Sequence, residues 1–118
     1  MTTLAELLNE WVEADGRSIR KLSDMIAQEW GETERVPHRS MAHWLNGKTQ
    51  RPRDWRGLLK LAHALHKTEA EANELLTICR HATLGELRLN NDDPLLYNWV
   101  EPSYVEAPFQ APPLTSTF

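Results

Sequence analysis

The sequence contains little of several features that define large classes of proteins. It has one cysteine, Cys79, among 118 residues, which excludes an internal disulfide framework and favours a small, buried apolar role for that side chain. No run of residues approaches the roughly 20 apolar positions that a membrane-spanning helix needs. The N-terminal MTTLAELLNE is acidic and lacks the basic start and unbroken apolar core of a signal peptide. These absences predict a cytoplasmic protein with no membrane partner.

Patterns that mark catalytic and metal sites are also absent from the sequence. It contains no nucleophile elbow, no HExxH and no pair of carboxylates spaced for acid–base catalysis. His63 and His66 could share one face of a helix, but a zinc site needs about four converging ligands and no third ligand is spaced to join them. Cys79 and His81 are equally incomplete as a metal site. We therefore expect no enzyme activity, no metal and no cofactor in this chain.

The charges are distributed unevenly along a chain whose net charge is −4. Residues 1–15 carry four acids and no bases, whereas residues 16–67 carry eleven Lys/Arg against five Asp/Glu. Residues 68–118 carry eight acids and two bases. A basic middle between two acidic flanks favours a surface that binds a polyanion, although a solvated surface of mixed charge would have the same composition.

Apolar residues recur at helical spacing in five successive segments, and no segment alternates with the period of two that is typical of a strand. Glycines and prolines fall at the boundaries of these segments. This pattern predicts an all-α fold, a compact bundle of about five short helices. The predicted helix boundaries are Thr2 or Thr3 to Gly16, Ser18 to Gly31, and Pro37 to Leu45 with an Asn46–Gly47 stop, followed by helices that start at Pro52 and at Thr68.

The third helix, residues 37–45, combines an apolar side with an outward side that is polar and basic. Met41, Trp44 and Leu45 are expected to face the core. The outward positions His38, Arg39, Ala42 and His43 carry small or hydrogen-bonding side chains, which suits a helix that enters a major groove about 12 Å wide. Arg39 can fork onto guanine, and either histidine can reach a base edge or a phosphate. The alternative is a helix that only connects its neighbours.

Basic residues flank this helix on both sides in the sequence. Lys48, Arg51 and Arg53 follow it, where the chain would pass the DNA backbone. Arg17, Arg20 and Lys21 stand at the start of the second helix. Helix starts present free N–H groups and a positive dipole end, which also favour phosphate. The alternative for all six bases is that they only keep the protein soluble.

The segments SIRKLSDMIAQ, VPHRSMAHWLNGKTQRP and DWRGLLKLAHAL resemble the Cro/cI-type (XRE-like) helix-turn-helix domains, over roughly residues 4–80. The resemblance implies sequence-specific double-stranded DNA binding by a transcriptional-regulator-like module, with helices two and three as the helix-turn-helix. The sequence departs from the family pattern at QEWGETER, which makes the second helix longer and its connection to the third helix looser. The base-reading positions implied by the resemblance are His38, Arg39, Ser40 and His43, and the implied phosphate contacts are Arg17, Arg20 and Lys48, with Arg51 close by.

The end of the sequence carries a second, shorter resemblance. APFQAPPLTSTF is similar to the linker that joins such N-terminal domains to the nucleotide-binding core of bacterial STAND-type NTPases. This implies a piece of a larger protein whose C-terminal NTPase domain is a partner, and the sequence has no GxxxxGK[ST] phosphate-binding motif of its own. The predicted organisation is a helix-turn-helix domain over 1–82, a short helical extension over 83–100 and a Pro-rich, extended linker over 101–118.

A second function is compatible with the same fold. A small helical bundle can serve as a protein-interaction or oligomerisation adaptor of a signalling NTPase, without DNA. The acidic flanks favour that alternative. The spatial arrangement of the bases discriminates between the two: one continuous basic face around 38–48 favours DNA. Pairing of the bases with Glu29, Glu32, Glu34 and Asp54 favours the adaptor.

Overall fold

The computed structural model describes residues 2–99, which form six α-helices and two 3-10 helices without a β-strand. The all-α prediction is therefore confirmed for this part of the chain, whereas the predicted linker over 101–118 lies outside the described residues. The α-helices are α1 (Leu4–Asp15), α2 (Ile19–Trp30), α3 (His38–Leu45), α4 (Trp55–Ala64), α5 (Glu69–Ile78) and α6 (Leu84–Asn90). The 3-10 helices are Glu32–Glu34 and Pro94–Trp99.

Local sequence signals explain where most of these helices begin. Thr3, Thr68 and Thr83 each accept a hydrogen bond from the backbone N–H three residues later, and a glutamate at that position bonds back to the threonine N–H. Ser18 caps α2 by accepting a hydrogen bond from the Lys21 N–H at 3.1 Å. Each cap of this kind stabilises its helix by about 1 kcal/mol, so residues close in sequence determine where these helices begin.

The predicted start of the fourth helix at Pro52 is wrong. The helix begins at Trp55, with Asp54 as its N-terminal cap residue. Pro52 is instead a buried residue of the preceding loop, and its carbonyl accepts a hydrogen bond from Nε2 of His81 at 2.7 Å. This long-range contact holds the proline outside the helix, although proline is well suited to a first helical turn.

One continuous core takes side chains from all the α-helices, including the predicted stripes. Leu8, Leu22, Met41, Leu58 and Leu75 represent the first five helices in it, and each is almost fully buried. Cys79 is also buried, as predicted, and its burial raises the pKa of the thiol to about 11. None of the helices between residues 2 and 99 has the length and apolar character needed to cross a membrane.

Residues 83–99 pack on this core rather than beside it. Leu84 and Leu87 of α6 and Leu95 and Leu96 of the second 3-10 helix are buried members of the same cluster. The predicted boundary at residue 82 therefore does not coincide with a break in the core. The reason is that these leucines form an apolar face, and burying that face against α4 and α5 removes it from water.

The connection between α2 and α3, residues 31–37, is held firmly although its length suggested a loose link. Val36 is buried, and its carbonyl accepts a hydrogen bond from the Ser23 hydroxyl of α2 at 2.7 Å. Lys60 of α4 donates to both the carbonyl and the carboxylate of Glu34, at 3.0 and 2.8 Å. Arg56, also on α4, donates to the same carboxylate at 2.7 Å. The connection is thus tied to two helices at once.

We expect the Glu34 contacts to make stability depend on pH in acid. Hydrogen bonds from Lys60, the larger effect, and from Arg56 lower the pKa of Glu34 from 4.5 to about 2. A carboxyl whose pKa is lower in the folded state stabilises the fold above its unfolded pKa, and this stabilisation is lost as pH falls from about 4.5 to about 2. Glu34→Gln should therefore unfold at a lower temperature than the wild type at pH 7, and the difference should shrink towards pH 2.

Thermal unfolding followed by circular dichroism at pH 7, 4.5 and 2.5 measures this difference. Glu10→Gln is the matched control, because Glu10 is exposed on α1 and forms no ion pair within residues 2–99. A difference between Glu34→Gln and wild type that stays constant with pH would contradict the role assigned to the Glu34 carboxylate.

Candidate nucleic-acid interface

Helix α3 is fixed to the bundle along one side and open along the other. Met41 and Trp44 are buried against the core. Asn9 of α1 donates a hydrogen bond to the Leu45 carbonyl at 2.7 Å and so holds the C-terminal end of the helix. On the opposite side His38 and Arg39 are exposed, and this side of α3 faces solvent.

The four predicted base-reading residues are not equivalent in the structure. His38 and Arg39 are exposed in the first turn of α3, whereas Ser40 and His43 are half-buried. Ser40 and His43 line a groove of about 380 Å³ that runs beside α3 and also contains Trp44 and Arg53. Arg39 therefore has the most open position of the four, together with His38.

The N-terminus of α3 has no side-chain cap. Pro37 precedes the helix and makes no side-chain hydrogen bond to it. The first backbone N–H groups of a helix lack partners within the helix and carry its positive dipole end. Beside His38 and Arg39, these N–H groups add donors for an anion to the open side of α3.

A tight turn directly after α3 fixes the backbone at Lys48. The side-chain oxygen of Asn46 accepts a hydrogen bond from the Lys48 N–H at 2.9 Å, and the Thr49 N–H donates to the His43 carbonyl at 3.1 Å. Gly47 between them has a φ of +81°, in the left-handed region. The predicted left-handed stop is therefore confirmed, and it fixes the backbone of an exposed lysine.

The thirteen Lys/Arg residues of the chain fall into two groups. Six of them form ion pairs with carboxylates: Arg17, Arg35, Arg56, Lys60, Lys67 and Arg88. Within residues 2–99, the remaining seven form none: Arg20, Lys21, Arg39, Lys48, Arg51, Arg53 and Arg80. Six of these seven are among the seven Lys/Arg residues that the sequence assigned to DNA, the exception being the paired Arg17, and all seven unpaired bases are exposed.

The seven unpaired bases do not all lie together. Arg53 shares the groove beside α3 with His43, whereas Arg51 lines a different groove with Arg80 and Glu74. Arg20 and Lys21 lie in the first turn of α2. The chain therefore turns between Arg51 and Arg53, and these two side chains serve different surfaces.

Arg17 has a different environment from the other predicted phosphate contacts. Its guanidinium donates to both oxygens of Asp15 at 2.7 Å and to the Ala64 carbonyl at 3.0 Å. Hydrogen bonds from Arg17 also lower the pKa of Asp15. Arg17 thus ties the α1–α2 turn to the end of α4, which leaves it less free to contact a phosphate. Its spacing of two residues from Asp15 was a signal for this pairing.

Sequence analysis missed the residues that hold α3 in place. Asn9 and Lys60 were not among the candidate residues of the sequence analysis. Lys60 is only 6% exposed, and it contacts the connection rather than solvent. Its neighbours Leu59 and Leu61 gave a weak signal, because a lysine between two buried leucines is close to the core.

Comparisons of the chain with protein-family models, with curated proteins and with solved structures found no match. Within residues 2–99 there is also no cluster of three or more His, Cys, Asp or Glu residues placed to hold a metal ion.

We expect the turn at Gly47 to be sensitive to a side chain. Gly47→Ala should lower the free energy of unfolding by about 1 kcal/mol, because an L-residue with a Cβ is strained in the left-handed region. No atom lies within 4 Å of the Cβ that alanine would add, so the cost is in the backbone alone. Gly85→Ala is the matched control: its site is equally open but lies within α6, where alanine should stabilise by up to about 1 kcal/mol.

Urea unfolding gives the free energy of unfolding of both variants and of the wild type. Opposite signs for the two substitutions are expected. Equal effects at both sites would mean that the turn after α3 does not constrain the chain as the backbone angles indicate.

Proposed function

We propose that the chain binds double-stranded DNA, with α3 in the major groove and with α2 and α3 as a helix-turn-helix, as a transcriptional-regulator-like module of a larger protein. The proposal rests on the sorting of the charges. Six Lys/Arg residues elsewhere in the fold form ion pairs, whereas Arg39 in the first turn of α3 and Lys48 in the turn after α3 are exposed and form none within residues 2–99. Phosphates supply the missing countercharge.

The open side of α3 suits direct reading of base edges. A guanidinium can donate two hydrogen bonds to one guanine, and Arg39 is the exposed arginine in the first turn of α3. His38 lies beside it, and His43 lies one turn later towards the groove. The small side chain of Ala42 lets the backbone of the helix approach the bases.

The flanking bases suit contacts with the DNA backbone. Lys48 in the fixed turn and Arg53 in the groove lie on the C-terminal side of α3, and Arg20 and Lys21 lie at the start of α2. Contacts with phosphates set the position of a protein on the duplex and carry most of its non-specific affinity. This arrangement would hold α3 from two sides.

The charged residues that form ion pairs favour the adaptor alternative. Arg35 pairs with Glu32, and Arg56 and Lys60 pair with Glu34, so two of the four acids named in the sequence-based test do neutralise bases. These pairs stabilise the fold and leave the acidic side of α1 exposed, which could contact a protein or a second copy of the chain. The pairs do not include any base beside the open side of α3.

We expect residues 1–118 to bind random 30-base-pair duplex DNA with an affinity that falls steeply with salt, because each neutralised phosphate releases counterions. Arg39→Ala should weaken the binding free energy for a selected DNA site by about 1–3 kcal/mol and make the protein less specific for that site. Lys48→Ala should weaken all sequences alike and reduce the salt slope by about one. Fluorescence anisotropy titrations at several salt concentrations measure both quantities.

Arg80→Ala is the matched control for these variants. It removes the same charge from an exposed, unpaired arginine that lines the groove away from α3, and it leaves a Cβ at the same left-handed position. Similar losses for all three variants would indicate attraction by net charge rather than by this face. No binding at low salt would reject the proposal and favour the adaptor, which analytical ultracentrifugation would then test as self-association.

A further inference from the structure

The last described residues of the chain are linked, through side chains of α4, to the connection that holds α3. We call residues 93–99 the C-terminal segment. The carboxylate of Asp93 forms an ion pair with the guanidinium of Arg56 on α4. The same guanidinium donates to Glu34 at 2.7 Å, and Glu34 also accepts from Lys60 at 2.8 Å. A continuous series of ion pairs therefore runs from the C-terminal segment to the connection.

The other end of the C-terminal segment is linked to the end of α2 through His63 of α4. The indole N–H of Trp99 donates to the Lys67 carbonyl at 2.9 Å. The Trp99 ring meets the edge of the His63 ring, with 5.9 Å between centroids, and His63 meets Trp30 in the same way at 5.8 Å. Nε2 of His63 lies 2.9 Å from a carboxylate oxygen of Glu29.

These two sets of contacts bracket the connection. Trp30 is the last residue of α2, directly before residues 31–37, and Glu34 lies in the middle of them. The connection leads into α3 through Val36, which is buried in the core. Any movement of the C-terminal segment therefore alters contacts of the residues that set the position of α3.

We propose that Asp93 and Trp99 are positioning residues for α3, so that the C-terminal segment couples the chain that follows Trp99 to the open side of α3. Held in place, the segment keeps Arg56 oriented towards Glu34 and supports Trp30 through His63. Released, it leaves Arg56 without its second carboxylate, and the connection then depends on Lys60, Ser23 and the Arg35–Asp24 ion pair. The consequence for DNA rests on the proposed function, whereas the consequence for the position of α3 does not.

Asp93→Asn isolates the ion pair. Asparagine keeps a side-chain oxygen for the hydrogen bond that Asp93 accepts from the Leu95 N–H at 3.1 Å, but it removes the charge that faces Arg56. Asp92→Asn is the matched control, because Asp92 is the exposed neighbour and forms no ion pair within residues 2–99. Asp93→Glu keeps the charge and should rescue the wild-type behaviour.

Amide hydrogen exchange on the whole chain tests the proposal without DNA. Asp93→Asn should speed exchange over residues 31–41 by about 3- to 10-fold, the size expected for one contact within a shared network, and leave α1 and α5 unchanged. Asp92→Asn should have no effect. Unchanged exchange over 31–41, or equal acceleration in every helix, would overturn the proposal, because the second result indicates a purely structural role.

The second set of contacts has its own pair of variants. Trp99→Ala should speed exchange at the end of α2 and over residues 31–37, whereas Tyr97→Ala should not, because Tyr97 is half exposed on the same 3-10 helix. DNA titrations of the same variants separate the two proposals. Altered exchange in a protein that binds no DNA would leave the positioning role standing and reject DNA binding, and DNA binding with unaltered exchange would do the reverse.

Discussion

Lys60 brings an ammonium group to a position where the residue is only 6% exposed, and the rest of the arrangement around α3 depends on how that charge is satisfied. A buried charge without partners is costly, so the chain must supply an anion and hydrogen-bond acceptors close to α4. The connection supplies both through the carboxylate and the carbonyl of Glu34. A connection that its length alone would leave mobile thereby becomes a fixed part of the bundle, and it delivers α3 to a defined position.

The same requirement divides the charged residues by role. Bases that hold elements together are paired and partly buried, as Arg17 with Asp15 and Arg88 with Glu69 illustrate. Exposed bases such as Arg39 and Lys48 lack a carboxylate among residues 2–99 and contribute little to holding the fold. These exposed bases are available to an external anion although the net charge of the chain is −4.

Local features of the chain could be predicted, whereas contacts between distant residues could not. Thr68 and Glu71 predicted the start of α5, Ser18 that of α2, and Gly47 the stop after α3, because each signal acts within a few residues. The start of α4 was missed because His81, 29 residues away, bonds Pro52. The pairing of Lys60 with Glu34, 26 residues away, was missed for the same reason: the sequence shows that a residue is charged, but the tertiary fold decides which distant charges meet.

The three threonine–glutamate caps have a consequence for how this chain reaches its fold. Each cap is closed by residues three positions apart, at Thr3, Thr68 and Thr83, so it needs no contact from elsewhere in the molecule. The starts of α1, α5 and α6 are therefore favoured even in the unfolded ensemble, and local preference agrees with the final structure at both ends of the described chain. Helix α3, which has no such cap and takes its position from α1, α2 and α4, would acquire its place only as they assemble. The open side of α3 would therefore form only when these helices have packed together.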